Sequence, residues 1–203
     1  MTSEAQPLFY LLEGRHMTTS EQIMHTATVL LQKHGFNAIS YNDISKLIGI
    51  KTASIHYHYP SKYDLGKSIM EQYRLMHQAA LKKIDAGSDS PLKKLQDFAD
   101  LFCCTMDKDY RMCPCGMLST DISTLPDSIK VEVRGFYIDS ETWLAAILRE
   151  GLEKKLFKFD MSPNECAKTL FASFEGAMLS AKAFEDKNRL IKSLKQIIKL
   201  IQA

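Results

Sequence analysis

Two stretches of the chain hold side chains able to do chemistry. The first runs from Lys51 to Lys62, where Lys51, Thr52, Ser54, His56, Tyr57, His58 and Lys62 crowd amines, hydroxyls and imidazoles together. Such groups bond phosphate oxygens and the edges of bases. A metal site at His56 and His58 is not expected, because positions i and i+2 on a helix diverge. The second stretch holds four of the five cysteines: Cys103, Cys104, Cys113 and Cys115. Cys113-Pro114-Cys115-Gly116 stands where a short helix would begin, and a thiol at a helix N-terminus is expected to have a lowered pKa. Three readings of these thiols stand: small core residues, a redox or electrophile switch, or a sulfur-based metal site. Cys-x-Cys lacks the spacing of structural zinc sites, and no histidine lies beyond His77. No metal is therefore expected.

The elements that must position the first stretch are legible around it. Ser40 with Asp43 is a capping-box-like helix start, and Ile44, Leu47 and Ile48 follow as one apolar face. Gly49 supplies the turn, where a left-handed backbone costs least. Thr52 to Tyr59 reads as a second short helix. Pro60 ends it, and Ser61 with Asp64 caps the next. This is a helix-turn-helix arrangement, whose second helix enters the DNA major groove. Lys51, Thr52 and Tyr57 are expected to supply most base-edge and phosphate contacts, with Ser54, His56 and His58 beside them. Tyr41 and Lys62 are phosphate candidates, Lys62 adding its charge to a helix N-terminus. Ile55 and Tyr59 should pack inward.

With the preceding helix and the Gly35-Phe36 turn, residues 18–77 resemble the N-terminal domain of TetR-family transcriptional regulators. Gly35-Phe36, Asp43-Ile44, Gly49-Ile50, Ser54-Ile55, His58-Tyr59-Pro60-Ser61-Lys62 and Leu65 carry the match. Two positions depart from the family pattern: His56 stands where tyrosine is usual, and Tyr59 where phenylalanine is usual. The resemblance implies an all-α fold of nine helices, three for DNA and six for effector binding and dimerisation.

Charge agrees with that division. Residues 17–84 hold eight Lys/Arg against four Asp/Glu, a net of +4, whereas residues 85–203 hold seventeen against eighteen, a net of −1. Phosphate attraction needs such a bias. No apolar run approaches the ~20 residues of a membrane span, and Pro7 to Leu12 is too short for a secretory signal. Residues 1–17 read as an N-terminal arm or as a protease-site junction left before Met17. Residues 18–77 are expected to form the DNA-binding domain and residues 78–203 the effector and dimer domain. A cytoplasmic protein is expected.

Beyond the DNA-binding helices the punctuation again marks helices. Thr18 with Glu21 caps the first, Ser20 to His34, which turns Ile23, Ala27, Leu30 and Leu31 inward. The fourth runs from Lys62 to about Ile84 and the fifth from Pro91 to about Asp107. A short helix from Cys113 reaches Thr124. A long one spans Asp127 to about Lys154 and buries Ile129, Val133, Phe136, Ser140, Leu144 and Ile147. Ser162 with Glu165 caps a helix to about Phe184, and Arg189 to Ile201 is the last. Helix eight has a buried stripe of Cys166, Leu170, Phe174, Ala177, Met178 and Ala181. It also has a small-residue stripe, Ala172, Gly176 and Ser180, suited to close helix approach. Periodicity leaves open whether helices 162–184 and 189–201 complete one bundle or half of a four-helix interface. The resemblance implies a homodimer through them.

An effector pocket or switch is expected from Cys103, Cys104, Met106, Cys113, Cys115, Met117, Phe136, Tyr137, Trp143, Phe174 and Met178, an adaptable apolar set. The chain has no phosphate loop, nucleotide fingerprint, catalytic Ser-His-Asp set or HExxH motif, and no cofactor is expected. The resemblance implies a sequence-specific DNA-binding regulator, a repressor released from a double-stranded operator by a small-molecule or thiol-reactive effector. The alternative is a thiol-based redox protein using Cys113 and Cys115.

Overall fold

The computed structural model describes residues 17–106 and 109–203. The reading of the N-terminal arm, residues 1–17, falls but for Met17 outside the described residues. Nine α-helices are present among them: α1 Thr19–His34, α2 Tyr41–Ile48, α3 Thr52–His58, α4 Lys62–Gly87, α5 Pro91–Thr105, α6 Pro114–Thr120, α7 Asp127–Glu153, α8 Pro163–Ala183 and α9 Lys187–Lys199. The described residues include no strand, only an isolated antiparallel bridge between Phe157 and Gln202.

Local sequence sets most boundaries. Complete capping boxes start α1 (Thr18, Glu21), α2 (Ser40, Asp43), α4 (Ser61, Asp64) and α8 (Ser162, Glu165). Each box meets two otherwise unpaired N–H groups. Gly49 ends α2 in the left-handed conformation, φ 73° and ψ 26°, and so turns the chain into α3.

Two apolar clusters organise the helices. Ile23, Ala27, Tyr41, Ile44, Ile55, Tyr59, Leu65 and Ile69 join α1, α2, α3 and the start of α4. A larger cluster joins α4 through α9 with Leu31 of α1 and with Phe36 and Ile39 after it, and has Phe98, Phe102, Phe136, Phe171 and Phe174 at its centre. α4 enters both clusters and is the continuous rod between them. Gly66 permits this: a Cβ there would stand 2.6 Å from the Phe36 ring.

Several expectations shift. Leu47, expected on the inward face of α2, is 64% exposed, whereas Tyr41 and Ile44 turn into the three-helix core. α4 continues to Gly87, three residues past the expected end, since no extended residue interrupts it before Ser88. α5 ends at Thr105, with Met106 extended and buried. The helix expected from Cys113 to Thr124 divides into α6 and a 3-10 turn, Ile122–Thr124.

Candidate functional site

α3 stands on the three-helix core like a ridge. Ile55 is fully buried and Tyr59 nearly so, while Lys51, Thr52, Ser54, His56, Tyr57 and His58 all face solvent. Three hydrogen bonds fix its pose. Ser45 Oγ donates to the Ile50 carbonyl at 2.6 Å, Tyr41 Oη donates to the Tyr59 carbonyl at 2.8 Å, and the Ser20 and Tyr59 hydroxyls meet at 3.0 Å. Tyr57 projects furthest, 84% exposed, with its ring edge-on to His58 at 5.2 Å.

Three residues sit differently from expectation. Tyr41 is buried, and its one hydroxyl proton is committed to the Tyr59 carbonyl, so it has none for a phosphate. Burial, then the negative charge of Asp64, pushes its pKa up to about 12. His56 turns back on its own domain: Nδ1 lies 3.1 Å from the Pro60 carbonyl, and the ring packs edge-on against Tyr41 at 4.7 Å. Histidine here closes the C-terminal end of α3. Lys62 places its ammonium 4.6 Å above the Phe36 ring, and desolvation lowers its pKa.

The expected pocket residues scatter. Cys113, Phe136 and Met178 line one small chamber of about 20 Å³ with Tyr73, His77, Leu101, Phe102 and Thr105. Space of that size admits about one water-sized occupant. Met106, Cys115 and Phe174 are packed into the surrounding core. Met117 reaches instead toward Gly35, and Tyr137 accepts a hydrogen bond from Ser119 Oγ at 3.4 Å. Trp143 Nε1 donates to Asp85 on the surface at 3.0 Å. Cys103 and Cys104 are half-buried, away from the chamber lining.

The thiols behave opposite to the helix-terminus expectation. Burial raises the pKa of Cys113 and Cys115 well above the ordinary value, and the nearby Glu175 carboxyl pushes both further the same way. Tyr73 Oη donates to Cys113 Sγ at 3.6 Å, and Cys115 Sγ donates to the Val133 carbonyl at 3.7 Å. Cys103 is raised to about 11, again first by burial. No group of three or more His, Cys, Asp or Glu side chains among the described residues is placed to hold a metal.

Sequence reasoning missed the most unusual group in this region. Glu175, in the middle of α8, is 7% exposed, and neither carboxylate oxygen has a hydrogen-bond partner. Burial pushes its pKa up to about 7, against a smaller opposing pull from the Cys113 thiol. Its carboxyl lies under α6, so close that a Cβ at Gly116 would stand 2.6 Å from Oε2. The signal was available: Glu175 directly follows Phe174 and lies one turn from Phe171 and Met178, on the apolar stripe itself.

His77 is the other buried titratable group. Ser140 Oγ gives its proton to the Phe136 carbonyl at 2.8 Å, so it must accept from His77 Nε2 at 2.9 Å. This sets the Nε2–H tautomer. Desolvation lowers the His77 pKa to about 4, which keeps the ring neutral.

Polar links tie α8 and the flanks of α6 to the end of α1 and the turn that follows it. Gln32 Nε2 donates to the Met112 carbonyl at 3.0 Å, and the Met112 N–H returns a bond to the Gln32 carbonyl at 3.2 Å. Lys182 Nζ donates to the Gln32 and Lys33 carbonyls, and Asn37 is bonded to Asp121 and Thr124. Farther along, Arg74 of α4 grips α7 through both oxygens of Asp139, at 2.6 and 3.1 Å, and through Glu132 at 3.3 Å. Arg74→Ala would take the charged partner from two part-buried carboxylates, leaving Asp139 its bond from Gln78 Nε2 at 2.7 Å, and should lower stability by about 1–3 kcal/mol in urea denaturation. An unchanged midpoint would show the clamp to be energetically idle.

Comparison with known proteins places this geometry in context. Residues 23–69 match the family profile described as bacterial regulatory proteins, tetR family, and residues 91–197 match a tetracyclin repressor-like C-terminal domain. A TetR-family transcriptional regulator from Agrobacterium tumefaciens superposes with a TM-score of 0.86 at 31% identity, covering 91% of this chain and 97% of that one. A TetR transcriptional regulator from Legionella pneumophila gives 0.83 at 32%, covering 93% and 100%. Among curated proteins, the HTH-type transcriptional repressor DhaR of Mycobacterium sp. (strain GP1) is 23% identical over 173 residues, 83% of this chain and 84% of DhaR.

Proposed function

Because the chain belongs to the TetR family of transcriptional regulators, we propose that it is an operator-binding repressor whose α3 enters the major groove and whose α4–α9 unit receives the releasing effector. The observation that carries this reading is the two-sidedness of α3. Ile55 and Tyr59 lock it to the core, while Lys51, Thr52, Ser54, Tyr57 and His58 stand free in solvent. Lys51 and Lys62 would meet phosphates; Thr52, Ser54, Tyr57 and His58 would read base edges or the adjoining backbone. His56, already bonded to Pro60 through Nδ1, would add at most its second ring nitrogen.

The functional boundaries are proposed near residue 77, with residues 18–77 presented to DNA and residues 78–203 serving effector and dimer. A repressor acting on chromosomal operators works in the cytoplasm. No helix among the described residues is long and apolar enough to cross a membrane. We read the chain as a regulator and not an enzyme. A thiol oxidoreductase is disfavoured, since burial holds Cys113 and Cys115 as thiols when a nucleophile must be a thiolate. The same burial favours the reading of these two cysteines as core residues.

Release follows from connectivity. α4 carries Tyr73 and His77 into the chamber and begins at the foot of α3. α6 lies between Glu175 and the α1 end held by Gln32 and Met112. An effector that binds the form with α6 and α4 displaced more tightly than the form shown here draws the population away from DNA. The coupling equals that difference in affinity.

A second protomer would dock on α8 and α9. Ala172 and Gly176 are exposed, as are Leu179 (48%), Phe184 (66%) and Leu200 (82%). A Cβ at Gly176 would meet nothing within 4 Å, so this face is open within one chain. Two recognition helices then reach successive major grooves about 34–36 Å apart or a longer span. Leu179→Arg should convert the dimer to a monomer in analytical ultracentrifugation and weaken operator binding with it. A Leu179→Arg protein that sediments like the wild type would move the interface elsewhere. The repressor reading itself is tested by titrating labelled DNA from upstream of the gene in the presence of excess nonspecific competitor.

A further inference from the structure

We propose that the chamber between α4, α5 and α7, together with Glu175 behind Cys113, is an effector subsite that takes a small primary amine in its ammonium form. This inference rests on the reading of the chain as an effector-released regulator and names the chemistry of that site.

Glu175 is a carboxyl with two unused acceptors, and the group beside it, the Cys113 thiol, is a weak donor. Native interiors rarely leave such a group unsatisfied without a functional reason. The missing partner must donate hydrogen bonds, and an ammonium donates three. Cys113 is the shared wall: it lines the chamber, and it neighbours Glu175 under Gly116. The rest of the lining suits the same guest. Tyr73, Phe102 and Phe136 present aromatic rings, whose faces attract a cation. Met178 is an adaptable wall that can yield to the methyl end of the smallest such amine. No lining residue is Lys or Arg, and His77 is neutral, so the chamber offers nothing to pair with an anion. A carboxylate effector would add a second negative charge beside Glu175. A quaternary ammonium would satisfy the aromatic faces but bring no N–H to the carboxylate. A primary ammonium satisfies both.

The groups that face Glu175 electrostatically are Tyr73 from α4, Cys113 and Cys115 from the start of α6, and Tyr137 from α7. All four are raised above their ordinary values and stay protonated at neutral pH, so Glu175 is the group among them that ionises between pH 5 and 8. Its ionised form is the one an ammonium requires.

Methylammonium, methanol and acetate share one methyl group, the smallest that a chamber of this size could take, and differ in head group. Each is added to the full-length protein at constant ionic strength with chloride or sodium as counter-ion, and both melting temperature and operator affinity are read. Methylammonium should raise the melting temperature and weaken operator binding roughly tenfold, while methanol and acetate leave both near the buffer value. Glu175→Gln should bind methylammonium roughly tenfold or more weakly, and wild type at pH 5.5 should show a comparable loss relative to pH 8. The pH comparison decides the matter if the variant does not fold. Equal responses to methanol or acetate, no response to methylammonium, or a response that survives both Glu175→Gln and acid would overturn the proposal. Operator binding that is intact but blind to methylammonium defeats the amine site alone. Absence of operator binding before any amine is added defeats the repressor reading.

Discussion

Glu175→Gln is expected to stabilise the protein progressively as pH rises, so that its melting temperature relative to wild type climbs by roughly 10 °C between pH 4 and pH 8. Glu175 goes from an ordinary carboxyl near 4.5 in the unfolded chain to about 7 when folded, because burial disfavours its charge. A folded pKa above the unfolded one gives stability that is complete below pH 4.5. That stability is lost as pH rises through 7. The shift corresponds to about 3 kcal/mol at pH 8. Glutamine does not titrate, so its own burial cost is the same at every pH.

Wild type alone would conceal this. His77 falls from 6.5 to about 4 on folding, so its contribution is present above 6.5 and is lost as pH falls toward 4. The two groups oppose each other over nearly the same window and at similar size. Wild type should therefore vary little across it, whereas Glu175→Gln should lose about 3 kcal/mol on acidification. Parallel melting curves for the two proteins at pH 4, 6 and 8 would mean that Glu175 is not held in a dry site.

The second large effect is on DNA. Tyr57→Ala should weaken operator binding by roughly 10- to 100-fold, since a dimer loses the contact twice at about 1 kcal/mol or more each. Lys51→Ala should weaken binding to all sequences and flatten the dependence of affinity on salt by about two phosphate equivalents per dimer. Neither side chain belongs to the buried core, so both variants should unfold within about 0.5 kcal/mol of wild type. Stability and affinity thus separate. A Tyr57→Ala protein with wild-type affinity would remove α3 from the interface.

How far the sequence disclosed all this depended on the range of the interaction. The four capping boxes were legible because each is complete within four residues. The Gly49 turn and the inward Ile55 and Tyr59 are equally local, and they fixed the helix-turn-helix outright. Tyr41 was misread because its partner, the Tyr59 carbonyl, lies eighteen residues away. Cys113 was misread for a related reason. Its place at a helix N-terminus is local, but the burial and the Glu175 charge that overrule the helix dipole come from α4, α7 and α8. Glu175 itself was passed over because a charged residue on a helix is ordinarily assigned to solvent. Only its fit among Phe171, Phe174 and Met178 showed otherwise. The chamber, likewise, is made by helices far apart in the chain, and residue type alone could not separate its lining from the core.

A fluorescence anisotropy titration of wild type, Tyr57→Ala and Lys51→Ala against the DNA upstream of the gene, over a range of salt, tests most directly whether α3 reads DNA. Wild type should bind tightly and resist competitor, with a uniform loss and a flatter salt dependence for Lys51→Ala. Tyr57→Ala should show a sequence-dependent loss. Identical affinities and salt dependences for all three proteins on a site that wild type binds specifically would contradict that role for α3.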